Sequence, residues 1–314
     1  MSFAALGLVT LWAASALFFD FSVVSVVLFL AWVLAVLTVT KVNRKGLFIW
    51  IASLLAVMLW WFSLKPSAAR PWQPDVARLA SAEIHGSRAT LANVRNFDYQ
   101  SESSLTPRWE TRAVDIDSIR GIDLFVSYWG SPWIAHAIVS FAFTDGTYLA
   151  MSIEARKSVG QEYSAIRGFY RQYQIIYVAA EERDIVRVRT NFRGEDVYLY
   201  HTLTTPADAQ ALFRQYLAWI NEALAHPQWY NALTNNCVSQ IIAYLARNKV
   251  GGVSRWDWRT VLNGPGDRML YDLGDLAGGL PFPELKQRAL INEAAKQASP
   301  DDFSAAIRRN RPGF

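Results

Sequence analysis

Trp133-Ile134-Ala135-His136-Ala137-Ile138-Val139-Ser140-Phe141, then Asp145-Gly146, then Tyr148-Leu149-Ala150-Met151-Ser152-Ile153-Glu154, is the stretch that decides the fold. Two runs rich in β-branched and aromatic residues flank an Asp-Gly pair, a strong short-range signal for a β-hairpin. Working outward, strands of the same character are expected at 90–95, 109–114, 122–128, 174–179, 184–189 and 196–200, with a further turn at His85-Gly86. Helix follows. Thr205-Pro206 is a cap with a first-turn proline, and Phe213, Tyr216, Leu217, Ile220 and Leu224 recur at helical spacing. A second helix is expected from about Asn236 through Val238, Ile241, Ile242 and Leu245, ending before Gly251-Gly252. Weaker helical signals lie at 283–298 and 303–309. The fold class is α+β, an antiparallel sheet with helices packed against it.

The N-terminal region has a different composition. Apolar residues make up 52% of the 314-residue chain, and much of the excess falls in three runs at 3–19, 21–40 and 47–64. Each is close to the ~20 apolar residues that cross a bilayer core of roughly 30 Å. A cleaved signal peptide is disfavoured, because the first run has no basic leader and no small-residue cleavage site followed by polar sequence. Asp20 is expected in a tight turn at the membrane edge, because a carboxylate at a helix centre costs about 2.5–3.5 kcal/mol. The short loop Lys41-Val42-Asn43-Arg44-Lys45 carries three cations and is expected to stay cytoplasmic, which delivers residue 65 onward to the far side. Trp60, Trp61 and Phe62 stand where an interfacial aromatic belt is expected. The expected organisation is a three-helix transmembrane anchor at 1–64, a linker at 65–80 with Pro66, Pro71 and Pro74, a thiol domain at 81–263 and a helical tail at 264–314. The chain is thus expected to be a multi-pass inner-membrane protein whose catalytic domain is periplasmic.

Net charge is +4, but no basic run with interleaved aromatics is present, so nucleic acid is not expected as a partner. A domain held against anionic head groups accounts better for the balance. A single cysteine, Cys237, excludes an intrachain disulfide and any multi-cysteine zinc site. Neither metal nor cofactor is expected.

Cys237 lies in Leu233-Thr234-Asn235-Asn236-Cys237-Val238-Ser239-Gln240, where polar turn-formers give way to an apolar helical run. In the first turn of a helix, free backbone amides and the positive end of the helix dipole favour thiolate, and the same amides suit a developing oxyanion. The bland alternative is an inert buried cysteine. A thiol nucleophile needs a base, and the histidines are His85, His136, His201 and His226. His136, on a strand among small and apolar neighbours, is either a satisfied core histidine or a poised base. A two-residue Asp145-Gly146 loop would set Ala155 opposite His136. Glu154 shares its face only if a bulge or longer loop shifts the register by one, in which case it completes a Cys-His-acid set. Otherwise Glu154 is a surface partner of Arg156 or Arg167. His201, at a strand end, is the reserve base. Tyr163, Tyr170, Tyr173 and Tyr177 with Arg167 and Arg171 form a dense aromatic and basic stretch, read as core plus solvated face or as a site for a head group or carboxylate.

Five segments taken in order resemble one bacterial family, the periplasmic domain of the Lnb-type lipoprotein acyltransferases. They are Asn93-Val94-Arg95-Asn96-Phe97-Asp98-Tyr99, His136 with Ser140-Phe141, Ser152-Ile153-Glu154-Ala155-Arg156, Arg171-Gln172-Tyr173 and Asn235-Asn236-Cys237. The order His, acid, Cys is also similar to that of the circularly permuted papain-like proteins, among them lecithin:retinol acyltransferase and NlpC relatives. The resemblance implies acyl transfer through a thioester, with Cys237 as nucleophile, His136 as proton shuttle, Glu154 as orienting acid, and Asn235, Asn236, Arg156, Tyr163 and Tyr173 in support. It implies a membrane lipid or lipoprotein as substrate. In those enzymes the catalytic domain precedes the membrane helices, whereas here it follows them. A Cys-His amidase or endopeptidase acting on peptidoglycan, and a non-catalytic envelope-assembly protein, are the competing readings.

Overall fold

Three apolar helices open the computed structural model: α1 (Phe3–Asp20), α2 (Val23–Val39) and α3 (Arg44–Ser63). The structure describes residues 3–39, 43–67, 69–248, 259 and 264–314, so Lys41 and Val42 of the cationic loop, and Gly251-Gly252, lie outside the described residues. The α3 helix starts earlier than its apolar run, because the Asn43 side chain caps it by accepting the Gly46 amide at 3.0 Å. At 20 residues α3 is long and apolar enough to cross a membrane by length and composition, whereas α1 and α2 are shorter apolar helices. The three pack around Leu6, Ala13, Val33, Val36, Trp50 and Leu54, and the Trp50 indole donates to Thr10 at 3.0 Å. Their outer faces expose Leu8, Leu28, Phe48 and Leu59.

The remainder is built on one eight-stranded sheet. Its strands are β1 (Ser81–His85), β2 (Arg88–Arg95), β5 (Trp109–Asp115), β6 (Ile119–Tyr128), β7 (Ala135–Phe143), β8 (Tyr148–Arg156), β9 (Gln174–Ala180) and β10 (Asp196–His201). The short β3 (Asp98–Tyr99) and β4 (Leu105–Thr106) pair apart from it. The order is β1-β2-β9-β8-β7-β6-β10, with β5 also on β2, and among the described strands the departure from antiparallel pairing is the parallel contact Arg95↔Ala180. The mixed α+β class expected from the sequence is therefore present.

Both faces of the central strands are covered, so β7 reads as a near-continuous apolar run rather than a clean alternation. On one face Val139, Phe141, Leu149 and Met151 pack against α6 (Pro206–Ala225), whose buried stripe is Leu212, Phe213, Tyr216, Leu217 and Ile220. Thr205 caps α6 by accepting the Asp208 amide at 3.2 Å. Leu224, assigned above to that stripe, is exposed, and Ala223 takes its place. On the other face Phe125, Ile138, Ile176 and Val178 meet Ile291, Ala295, Phe303 and Ile307. These come from the C-terminal region, which folds as α8 (Gly266–Asp272), α9 (Phe282–Ala289), α10 (Asn292–Gln297) and α11 (Phe303–Ala306). The single helix expected at 283–298 breaks because Ile291 donates its amide to Val197 on the sheet edge at 2.9 Å. Arg308 fixes this region by donating to Asp123 at 2.8 Å and Glu182 at 2.7 Å, both buried acids.

One expected strand is absent. Residues 184–189 are helical, divided between α5 (Glu182–Ile185) and a π-helical turn at Val188–Arg193. Buried Ile185, Val186 and Val188 make a helical stripe that a short window confuses with alternation. Asp184 supports this arrangement by pairing with Arg95 and accepting the Phe97 amide at 2.8 Å.

Candidate active site

The β7–β8 hairpin sets the register of the site. Phe143 N donates to Thr147 O at 3.0 Å and Gly146 N to Phe143 O at 3.1 Å, so the loop is Thr144-Asp145-Gly146, one residue longer than the Asp-Gly pair alone. Gly146 takes the left-handed conformation (φ 85°) that closes such three-residue loops, and Asp145 accepts from Thr147 N at 2.9 Å. The ladder therefore runs Ala142↔Tyr148 to Ile138↔Ser152. Carried two residues further, this register sets Glu154 opposite His136, the shift that a Cys-His-acid set requires.

Beyond Ile138↔Ser152 the two strands part. The β7 strand stays with β6 as far as Ala135, and β8 stays with β9 as far as Arg156. The split opens a cleft of about 640 Å³, lined on both sheet faces by residues including His136, Glu154, Ala155, Tyr163, Arg189 and Tyr230, with Cys237 in its wall.

Cys237 is the first residue of α7 (Cys237–Asn248). Asn236 precedes it as a fully buried cap whose Oδ1 accepts from Ser239 N at 2.9 Å, while Asn236 N donates back to Ser239 Oγ at 2.9 Å. Asn235 braces the loop behind it, donating to Trp229 O at 2.7 Å. Both asparagines thus position the thiol through the backbone rather than offering a side chain to a ligand. Asn236→Ala is expected to lower stability by about 1–2 kcal/mol, read by denaturant unfolding in detergent, with Asn236→Asp retaining most of it.

The imidazole of His136 and the thiol of Cys237 are in hydrogen-bonding contact, and each moves the other's ionisation. Burial alone would push the thiol up, but the His136 charge and hydrogen bond, with the Ala137 and Val238 amides, bring it below its ordinary value. Burial likewise works against the imidazolium, but the thiolate and Glu154 outweigh it and raise His136 to about 9. Each partner thus favours the charged form of the other.

On the far side of the ring, His136 Nε2 is 2.7 Å from Ser152 Oγ and 3.6 Å from Glu154 Oε1, and the Ser152 hydroxyl donates to Glu154 at 2.9 Å. Glu154 is ionised: burial opposes this, but Arg189, donating at 3.0 Å, and His136 hold its carboxyl well below the usual range. Arg189 is itself held by Ile185 O at 2.8 Å and lies 3.6 Å from Glu195, which accepts from Ser127. Cys237, His136, Ser152/Glu154 and Arg189 thus form one line in which each charged group biases the ionisation of the next.

Tyr163 and Tyr230 face the thiol from the opposite bank, their hydroxyls 3.2 Å apart. Burial pushes both phenols up, so both remain protonated donors. Like the two asparagines, Arg156 and Tyr173 were expected in support and do not line the cleft. Arg156 donates to Val76 O at 2.9 Å and Ala77 O at 2.8 Å and lies over Trp72, pinning the linker. Tyr173 is buried beneath the cleft wall, donating to Glu162 O at 2.6 Å. His201, the reserve base, pairs with Asp123 at 2.7 Å away from the cleft, and His226 pairs with Glu222 on the surface. Among the described residues no group of His, Cys, Asp and Glu side chains is arranged to hold a metal ion. Sequence reasoning did not find Arg189, because its segment was read as a strand, nor Tyr230, which sits in a turn without a motif.

The family model of the Lnb N-terminal periplasmic domain matches residues 105–264, half of the chain. The match includes His136, Glu154 and Cys237 and starts after Asn93–Tyr99. No curated protein and no solved structure matches significantly.

Proposed function

The chain belongs to the Lnb N-terminal periplasmic domain family and is an Lnb-type envelope protein; from that premise we propose that it is a membrane-anchored thiol acyltransferase working through a thioester on Cys237. The observation that carries this reading is the hydrogen-bonded Cys237–His136 pair at a helix start inside the cleft, backed by Ser152, Glu154 and Arg189. In this reading α1, α2 and α3 form the anchor, their exposed apolar faces turned to lipid, and the periplasmic domain is papain-like in its chemistry.

The thiolate attacks an ester carbonyl, and the tetrahedral oxyanion is met by the Cys237 amide, which has no intrahelical acceptor at the first helical position, and by a tyrosine hydroxyl. Collapse breaks the C–O bond, and the departing alkoxide takes the proton from His136. An incoming amine then attacks the thioester, His136 accepts its proton, and the C–S bond breaks to return the thiolate. Glu154, through Ser152, holds the ring with Nε2 turned away and leaves Nδ1 to exchange protons with sulfur.

The polar residues of the cleft, among them Asp75, Glu102, Lys157 and Arg193, favour a second reading, an amidase acting on hydrophilic peptides of the cell wall with water as acceptor. Incubation of the full chain with diacylated lipopeptide and, separately, with muropeptides distinguishes the two by mass spectrometry. The acyltransferase gives a lipopeptide carrying its acyl chain on the amine and an acyl adduct on Cys237. Muropeptide cleavage that Cys237→Ala abolishes, with the lipopeptide unchanged, overturns it.

A further inference from the structure

The mouth of the cleft is joined to the ends of the apolar helices. The short helix α4 (Ala165–Phe169) follows the cleft residue Tyr163, and the chain leaving α4 docks on that end of the anchor. Tyr170 stacks on Phe19 with centroids 4.9 Å apart, Arg171 lies 3.9 Å over the Trp61 ring and donates to Trp61 O at 2.7 Å, and Gln172 donates to Asp20 at 3.0 Å. Trp229, beside the cleft residue Tyr230, donates to Leu64 O at 3.2 Å. The same ends carry the stacked pair Phe21 and Trp60, so the mouth stands level with an aromatic belt of the kind that marks a membrane interface.

Around this mouth apolar side chains point outward. Trp133 is 55% exposed, Ile134 41%, Val159 63%, Ile166 61% and Leu233 46%. The banks belong together: Tyr163 meets Trp129 edge-on at 6.4 Å, α4 packs against the turn that holds Leu233, and Val159 N donates to Pro71 O at 2.7 Å on the chain leaving α3. Ile166 is four residues from Tyr170, about 6 Å along a helix. Exposed apolar side chains gathered at one mouth mark an interaction surface, and the contacts that tie this mouth to the belt identify the occupant.

We propose that this rim is a membrane-seated mouth: its side chains enter the head-group boundary of the periplasmic leaflet beside the anchor, so that an acyl ester reaches Cys237 from the bilayer without crossing water. The proposal rests on the reading of α1–α3 as a membrane anchor. Exposed Arg167 on α4 then meets anionic head groups, while Trp133 and Ile166 sit at the depth that amphipathic interfacial segments adopt.

The test uses the full chain with Cys237→Ala in nanodiscs of phosphatidylcholine and phosphatidylglycerol, with single cysteines carrying an environment-sensitive fluorophore. Probes at Ile166→Cys on the rim, Leu55→Cys on α3 and Thr144→Cys on the remote hairpin are compared under quenching by doxyl-labelled lipids. Quenching at 166 by a shallow doxyl group, at 55 by a deep one, and none at 144 is the expected result. Quenching at 55 with a water-exposed probe at 166 overturns the mouth and leaves the anchor standing, whereas no quenching at either position sinks the anchor itself. Protection at 166 without lipid quenching, accompanied by chain-to-chain cross-linking, assigns the rim to a second copy and also overturns the proposal. With Cys237 restored, Ile166→Asp combined with Trp133→Asp is expected to slow transfer from a vesicle-embedded ester about tenfold while leaving iodoacetamide alkylation of Cys237 unchanged. Slowed alkylation would mean damage to the site, and unchanged transfer would remove the rim from the reaction.

Discussion

Replacing Cys237 with alanine is expected to abolish the acyl adduct and lower turnover by on the order of 10³-fold or more, because the chain has no second cysteine to take its place. The substitution removes one sulfur from a residue that is 3% exposed, and the cap that starts α7 belongs to Asn236, so unfolding should change little. Intact mass and an unfolding curve on the same preparation separate lost chemistry from lost fold. Retained turnover in Cys237→Ala would end the thiol mechanism, and no rearrangement of the neighbouring residues would rescue it.

The second large effect concerns His136. In the native site the thiol ionises below its ordinary value, so alkylation of Cys237 should level off at a lower pH than that of an ordinary thiol. In His136→Ala the imidazolium is gone and burial acts alone, which moves the thiol's ionisation above the ordinary value of about 8.5. At pH 7 only a few per cent of such a thiol is ionised, so alkylation by iodoacetamide should fall several-fold, with the difference closing as pH rises. The sign is opposite for the imidazole. Its raised value of about 9 means that the imidazole stays protonated up to that pH, and turnover, which in the proposed mechanism needs the imidazolium as acid, is expected to fall above it. Glu154→Gln should lie between these limits, since Ser152 still reaches the ring. Equal alkylation rates in wild type and His136→Ala at pH 7 would show that the histidine does not activate the thiol.

Much of this site was legible in the chain. Polar turn residues before an apolar 3.6-residue pattern placed Cys237 at a helix start, and the reciprocal Asn236–Ser239 cap is the physical form of that signal. The strand position of His136 followed from β-branched neighbours. The alliance with Glu154 was legible only as a condition, because one residue of loop length decides it and Asp145-Gly146 is compatible with either length. Arg189 was hidden for a different reason. Its neighbours Val186 and Val188 alternate with charged residues, and the π-helical turn that aims Arg189 at Glu154 leaves no periodic mark in so short a segment. The packing of residues 264–314 on the second sheet face was also not legible, since a weakly amphipathic helix does not name its partner; the buried contacts of Arg308 do.

The three-residue loop at Thr144–Gly146 lies seven residues from His136, about 24 Å along an extended strand. Exposed hairpin tips ordinarily absorb insertions and deletions at little cost. Here the tip behaves like the slider of a zip. Drawing Thr144 into the ladder opposite Thr147, so that Asp145-Gly146 alone makes the turn, would let β7 and β8 close again one tooth out of step, with every backbone bond remade but the ring of His136 facing Ala155 in place of Glu154. Such a chain would fold, keep its cysteine, its histidine and its acid, and still be silent. An intact set of catalytic residues is therefore no guide to activity in chains built this way unless the length of that distant loop is counted as well.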